Sequence, residues 1–150
     1  MTRDVCPAML GLAVGALVLL AAAHVLALEV QITTVRASEH GPSDADLVDL
    51  RPRLRRLVGY HSFQVVGRER RRCVWRTSEA FALPGGRVLH VVPKAMRDQA
   101  VLMSVKLMDG SRALVDTDVR LQNRGVMLFG VGQDARGSSG PLIIVLRAED

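Results

Sequence analysis

"AVLMSVKLMDGSRALVDTDVRL" spans Ala100–Leu121, and its middle decides the fold. Two runs of alternating apolar and polar residues meet across Asp109-Gly110. Asp-Gly between such runs is the strongest short signal for a β-hairpin, because both central turn residues need positive φ. On the second strand Val115, Thr117 and Val119 alternate with Asp116 and Asp118, so the aspartates share one face.

Reading outward, the same grammar recurs. Upstream, "RVLHVVP" (Arg87–Pro93) reads as a strand stopped by Pro93, and "PGG" (Pro84–Gly86) as a turn with Gly85 at positive φ. "YHSFQVV" (Tyr60–Val66) alternates, and "RCVWRTSEAFAL" (Arg72–Leu83) is a weaker strand. Downstream, "QNRG" makes a turn before "VMLFGVG", and the chain ends on "PLIIVL" (Pro141–Leu146), apolar at every position. Such a strand should be covered on both faces. "LEVQITTVRA" (Leu28–Ala37) adds a first strand. About eight strands spaced by turns predict a mainly β domain, an antiparallel β-sandwich or open barrel.

One segment breaks the pattern. "SDADLVDLRPRLRRLVG" (Ser43–Gly59) carries Leu47, Leu50, Leu54 and Leu57 at helical spacing, with Ser43 and Asp46 at capping-box distance and Gly59 placed to end a helix. A short N-terminal helix near 44–58 follows. Pro52 either kinks it or marks where its second half starts. The leucine stripe must be buried, so the helix should cover a face or open end of the sheet. Exposed Leu50 and Leu54 would instead mark a partner surface.

From Ala8 to Leu28 the chain reads "AMLGLAVGALVLLAAAHVLAL". Arg3 ahead of it and Val25 and Ala27 at −3 and −1 resemble a secretory signal peptide over residues 1–27, leaving 28–150 as one β-rich domain. The alternative is an uncleaved anchor, since the run is long enough to span a bilayer. Export predicts a periplasmic or secreted protein, or an inner-membrane one if residues 8–28 remain. Cys6 leaves with the signal, so Cys73 has no intramolecular disulfide partner.

The 150 residues carry a net charge of +5, and all basic residues but Lys94 and Lys106 are arginine. Two arginine groups stand out: Arg51, Arg53, Arg55 and Arg56 late in the helix, and Arg68, Arg70, Arg71 and Arg72 in "RERRRC". As a group they are the candidate anion-binding residues, for an anionic lipid or polysaccharide of the envelope. Nucleic acid is not expected, because single-strand grooves interleave aromatics with basic residues and here only Trp75 is near. The other reading of "RERRRC" is a solvated hairpin tip or long edge, charged to prevent aggregation. Cys73 reads either as a thiol activated by the arginines or as a small buried residue.

No constellation for chemistry is found. "GVGQDA" (Gly130–Ala135) matches Gly-x-Gly-x-x-Ala but leads into a strand, where a dinucleotide site needs a helix, so no cofactor is expected. Asp116 and Asp118 are too few oxygens for a hard cation unless Asp109 or Asp134 joins them. His40, His61 and His90 lack metal spacing, and Ser138 and Ser139 lack a nucleophile elbow.

"LRPRLRRLVGYHSFQVVGRE", "FALPGGRVLHVVP", "VLMSVKLMDGSRALVDTDVRLQNRGVMLFGVG" and "GPLIIVL" together resemble small uncharacterised exported β-rich proteins of Gram-negative bacteria. The shared pattern is a signal peptide, a Leu-rich helix, a YxS[YF] strand, an LPGGR turn and a C-terminal β-meander. The resemblance implies export and a β-rich fold, and brings no activity with it. The expected function is therefore that of an exported non-enzymatic domain of the cell envelope, acting through contact with an envelope protein. The alternative is a module binding an anionic envelope polymer or lipid through its arginines.

Overall fold

The computed structural model describes residues 27–132 and 140–150. The signal-like segment and most of the "GQDARGSSG" loop, with Asp134, Ser138 and Ser139, lie outside the described residues. So do three residues of "GVGQDA".

The chain is mainly β. Among the described residues eight strands form two antiparallel sheets of four, not a closed barrel. β1 (Ala27–Ser38), β2 (Ser62–Val74), β7 (Val126–Val131) and β8 (Leu142–Glu149) make one sheet in the order β2-β1-β8-β7. β3 (Glu79–Ala82), β4 (Arg87–Arg97), β5 (Ala100–Asp109) and β6 (Arg112–Gln122) make the other as a meander. The "QNRG" turn therefore carries the chain from one sheet to the other.

The hairpin forms at Asp109-Gly110, but Asp109 pairs with Arg112, so the two central turn residues are Gly110 and Ser111 and only Gly110 has positive φ (57°). Its ladder holds a correction. Asp109 faces Arg112 and Met108 faces Ala113, but Leu107 faces Val115, leaving Leu114 as a bulge. The extra residue resets the register by one, so Val115 and Val119 turn toward the core while Asp116 and Asp118 face outward. Pro93 does not stop β4 either. The strand continues past it to Arg97 through a bulge at Lys94. Asp98 and Gln99, both at positive φ, then turn the chain into β5 without any glycine.

The two sheets share one buried cluster: Leu28, Val30, Ile32, Ile144 and Leu146 from the first meet Phe81, Leu89, Met103, Val105 and Leu107 from the second. The first sheet has a second buried face. Val35, Ala37, Phe63, Ile143 and Val145 pack under Leu47, Leu50 and Leu54. "PLIIVL" is thus covered on both sides, as its uniform apolarity requires.

The helical segment is shorter than the leucine spacing suggests. Ala45–Leu47 form one 3-10 turn, and α1 runs only over Arg51–Val58. Pro52 sits in its first turn, where its missing N–H has no partner to lose. Gly59 ends it at φ 72°. Leu57 falls outside the buried stripe, at 45% exposure. The capping box is also corrected. Ser43 Oγ instead accepts from the Phe63 N–H (3.1 Å), and Asp44 Oδ2 accepts from the Val65 N–H (2.6 Å). These two side chains cover the first half of the exposed edge of β2. Among the described residues no helix is long and apolar enough to cross a membrane.

Candidate functional site

"RERRRC" is not a hairpin tip. It lies within β2, an edge strand paired with β1 along its length. Cross-strand partners share a face. Glu69, Arg71 and Cys73 face Ile32, Val30 and Leu28, on the core side. Arg68, Arg70 and Arg72 face Thr33, Gln31 and Glu29, on the outer side.

Carboxylates surround this group. Arg68 reaches Asp46 (3.2 Å), tying the 3-10 turn to β2. Arg70 pairs with Glu29 (3.2 Å) and donates to Gln31 (3.1 Å). Arg71 pairs with Glu69 and Glu79, and lies 5.4 Å from the centroid of the Phe81 ring, closing the core between the sheets. Arg72 lines a shallow depression with Glu29, Glu149 and Asp150. The second half of the β2 edge is therefore charged but locally compensated, as an edge that must not recruit another strand should be.

The α1 arginines are placed differently. The helix leans on β7, at the opposite edge of the same sheet, three strand spacings or about 14 Å from β2. The eight arginines do not form one patch. Arg53 donates to the Val126 carbonyl (3.2 Å) and Arg56 to that of Pro52 (3.4 Å). Arg55 is exposed, and Arg51 is half-buried with its Nε lacking a hydrogen bond among the described residues. None of the four is in an ion pair among the described residues. Arg53, Arg56, Leu57 and Leu128 line an open groove of roughly 380 Å³ between α1 and β7. Sequence reading missed this groove, because Leu57 was counted with the core stripe and Leu128 belongs to a distant strand.

Cys73 is fully buried, and burial first, then Glu79, pushes its thiol up to about 11, with Arg71 opposing. The activated-thiol reading is overturned: desolvation of the thiolate outweighs the arginine beside it.

On the outer face of the second sheet, Asp118 accepts from Lys94 (2.7 and 2.8 Å), which holds its carboxyl below the usual range, and Asp116 pairs with Lys106 (3.6 Å). Both lysines of the chain are thus matched to the two aspartates. Among the described residues no group of His, Cys, Asp and Glu could hold a metal. His90 shares a groove of roughly 410 Å³ with Ser78, Ser104, Lys106 and Asp116. No side-chain hydrogen bond joins His90 to a serine among the described residues.

A scan against protein-family models and searches of curated proteins and of solved structures return no match to this chain.

Proposed function

We propose that this chain is an exported, non-enzymatic β-sandwich domain of the cell envelope that works by contact with a protein partner. One observation carries the reading. The α1–β7 groove joins exposed Leu57 and half-buried Leu128 to Arg53 and Arg56, neither in an ion pair among the described residues. An apolar centre beside arginine is the composition of a protein interface. The β2 arginines favour the same reading by default, since their charge is already met by neighbouring carboxylates.

The test is a photo-crosslinking residue placed at Leu57 and, as a control, at Met108, in cells that make the protein. A discrete heavier protein band from Leu57 alone supports the reading. Adducts that fractionate with lipid or polysaccharide, or none at all, count against it.

A second reading rests on the exposed arginines of α1. It is a module for anionic lipid or polysaccharide held through Arg53, Arg55 and Arg56. Exposed charges are screened within about 8 Å at 0.15 M salt, so that complex dissolves as salt rises, whereas a contact centred on Leu57 and Leu128 persists. Retention on a polyanion column should fall when the α1 arginines become serine. It should change little when Arg68, Arg70, Arg71 and Arg72 do.

A further inference from the structure

Each sheet has two edge strands, and three of the four are defended. β3 is only four residues long. β2 is covered over its first half by Ser43 and Asp44 and carries arginine over its second. β6 bears Arg112, Asp116, Asp118 and Arg120, and Leu114 bulges from it. Short length, cover, charge and bulges all oppose edge pairing. β7 has no charge and no bulge of its own, and Arg53 covers only the Val126 carbonyl at its start. Its sequence "VMLFGV" is free of charged and polar side chains, four of its six residues are half-buried, and among the described residues its sheet ends there.

The groove already described runs beside this edge. Arg53 reaches the Val126 carbonyl, and Arg56 and Leu57 stand over Leu128. Residues two apart in a strand aim their N–H and C=O groups the same way. The Val126 carbonyl that Arg53 reaches therefore marks Leu128 and Gly130 as aimed at the open edge. From these facts we infer that β7 accepts an extended segment of a partner protein as a ninth strand, and that this segment is apolar in alternation and carries a carboxylate where it passes Arg53 and Arg56. Main-chain hydrogen bonds supply the affinity and side-chain pockets the specificity in such strand addition. A second copy of β7 is disfavoured, because pairing about Leu128 would bring the arginines of two α1 helices toward one another across the new ladder. The inference rests on the protein-contact reading and names its mode.

The experiment is selection of a displayed library of short random peptides on the purified full chain, made with its own leader. Enrichment of alternating apolar sequences flanked by Asp or Glu is expected. Gly130→Pro, which removes an edge N–H, should weaken the selected peptides by roughly tenfold or more. Gly130→Ala should leave them unchanged, because a Cβ there meets nothing within 4 Å. Arg56→Glu, at an exposed position, should turn the preference toward Lys- or Arg-flanked peptides. Failure to enrich alternating sequences, or equal binding to Gly130→Pro, overturns the inference. So does a dimer of the free protein that Gly130→Pro abolishes, which would make the occupant a second copy. If the inference fails while the Leu57 crosslink to a protein persists, the contact reading stands and only its mode is wrong.

Discussion

Cys73 shows how one residue's surroundings reverse its apparent chemistry. Four arginines within six positions promise a stabilised thiolate, yet strand alternation turns Arg68, Arg70 and Arg72 outward and the thiol inward. The native thiol should resist alkylation near neutral pH and react once the protein unfolds, which a thiol-reactive chromophore measures directly. Because its folded pKa of about 11 lies above the ordinary 9.0, the thiol's contribution to stability is whole below pH 9 and is lost as pH rises toward 11. Urea melts of Cys73→Ala should lack that alkaline loss, on the order of 2 kcal/mol. Gly140 gives a second residue-scale test. A Cβ there would run into the Ala37 carbonyl, where the Ala37 N–H also bonds to Pro141. Gly140→Ala should cost about 1–3 kcal/mol by urea melt, while Gly130→Ala should be nearly neutral.

At the scale of elements, α1 leans on β7, the last strand of the first sheet, and Pro52 sets where it begins. A helix running unbroken from Ser43 would carry Pro52 in its interior, and Pro52→Ala would then stabilise by about 3 kcal/mol. With Pro52 in the first turn, the same change should move the urea midpoint very little. Gly59→Ala should cost about 1 kcal/mol, because the left-handed cap favours glycine while a Cβ there meets no neighbour. Most strands were legible from alternation, but their bulges were not, and Arg72–Leu83, read as one strand, instead ends β2 at Val74 and supplies only β3 (Glu79–Ala82). A strict two-residue turn at Gly110–Ser111 would set Lys106 against Val115. Only the bulge at Leu114 brings Lys106 opposite Asp116 and Ser104 opposite Asp118. A bulge leaves no compositional mark at Val66, Lys94 or Leu114, because its cause is the fit of one strand against the next.

For the whole molecule, the central fact is a first sheet buried on its inner face and, where the helical segment lies, on its outer face too, while Arg68, Arg70 and Arg72 stay exposed at the other end. One face meets the second sheet and the other meets Leu47, Leu50 and Leu54. Leu54→Ala should therefore cost about 2–5 kcal/mol in a urea melt, as much as a leucine between the sheets. Export is a question about the same whole. The intact mass of the protein taken from fractionated cells should begin at Leu28 in the soluble envelope or secreted fraction. A full-length mass in the membrane fraction would make residues 8–28 an anchor and place the search for a partner within the membrane.

Local patterns in the chain were enough to determine a mainly β architecture of about eight strands, one short helix capped by Gly59, a strand covered on both faces and an inward Val115–Val119 row. Alternation, turn chemistry and helical spacing act between near neighbours, so they are written into consecutive residues. Which strands share a sheet, where the two arginine groups lie and which edge stays open were decided by the tertiary structure. "RERRRC" reads alike as hairpin tip, anion site or edge until Asp46, Glu29 and Glu79 arrive from elsewhere in the chain to meet it. The α1–β7 groove needs Leu57 and Leu128 to be brought together across 71 positions, and a separation of that length is bridged only by packing.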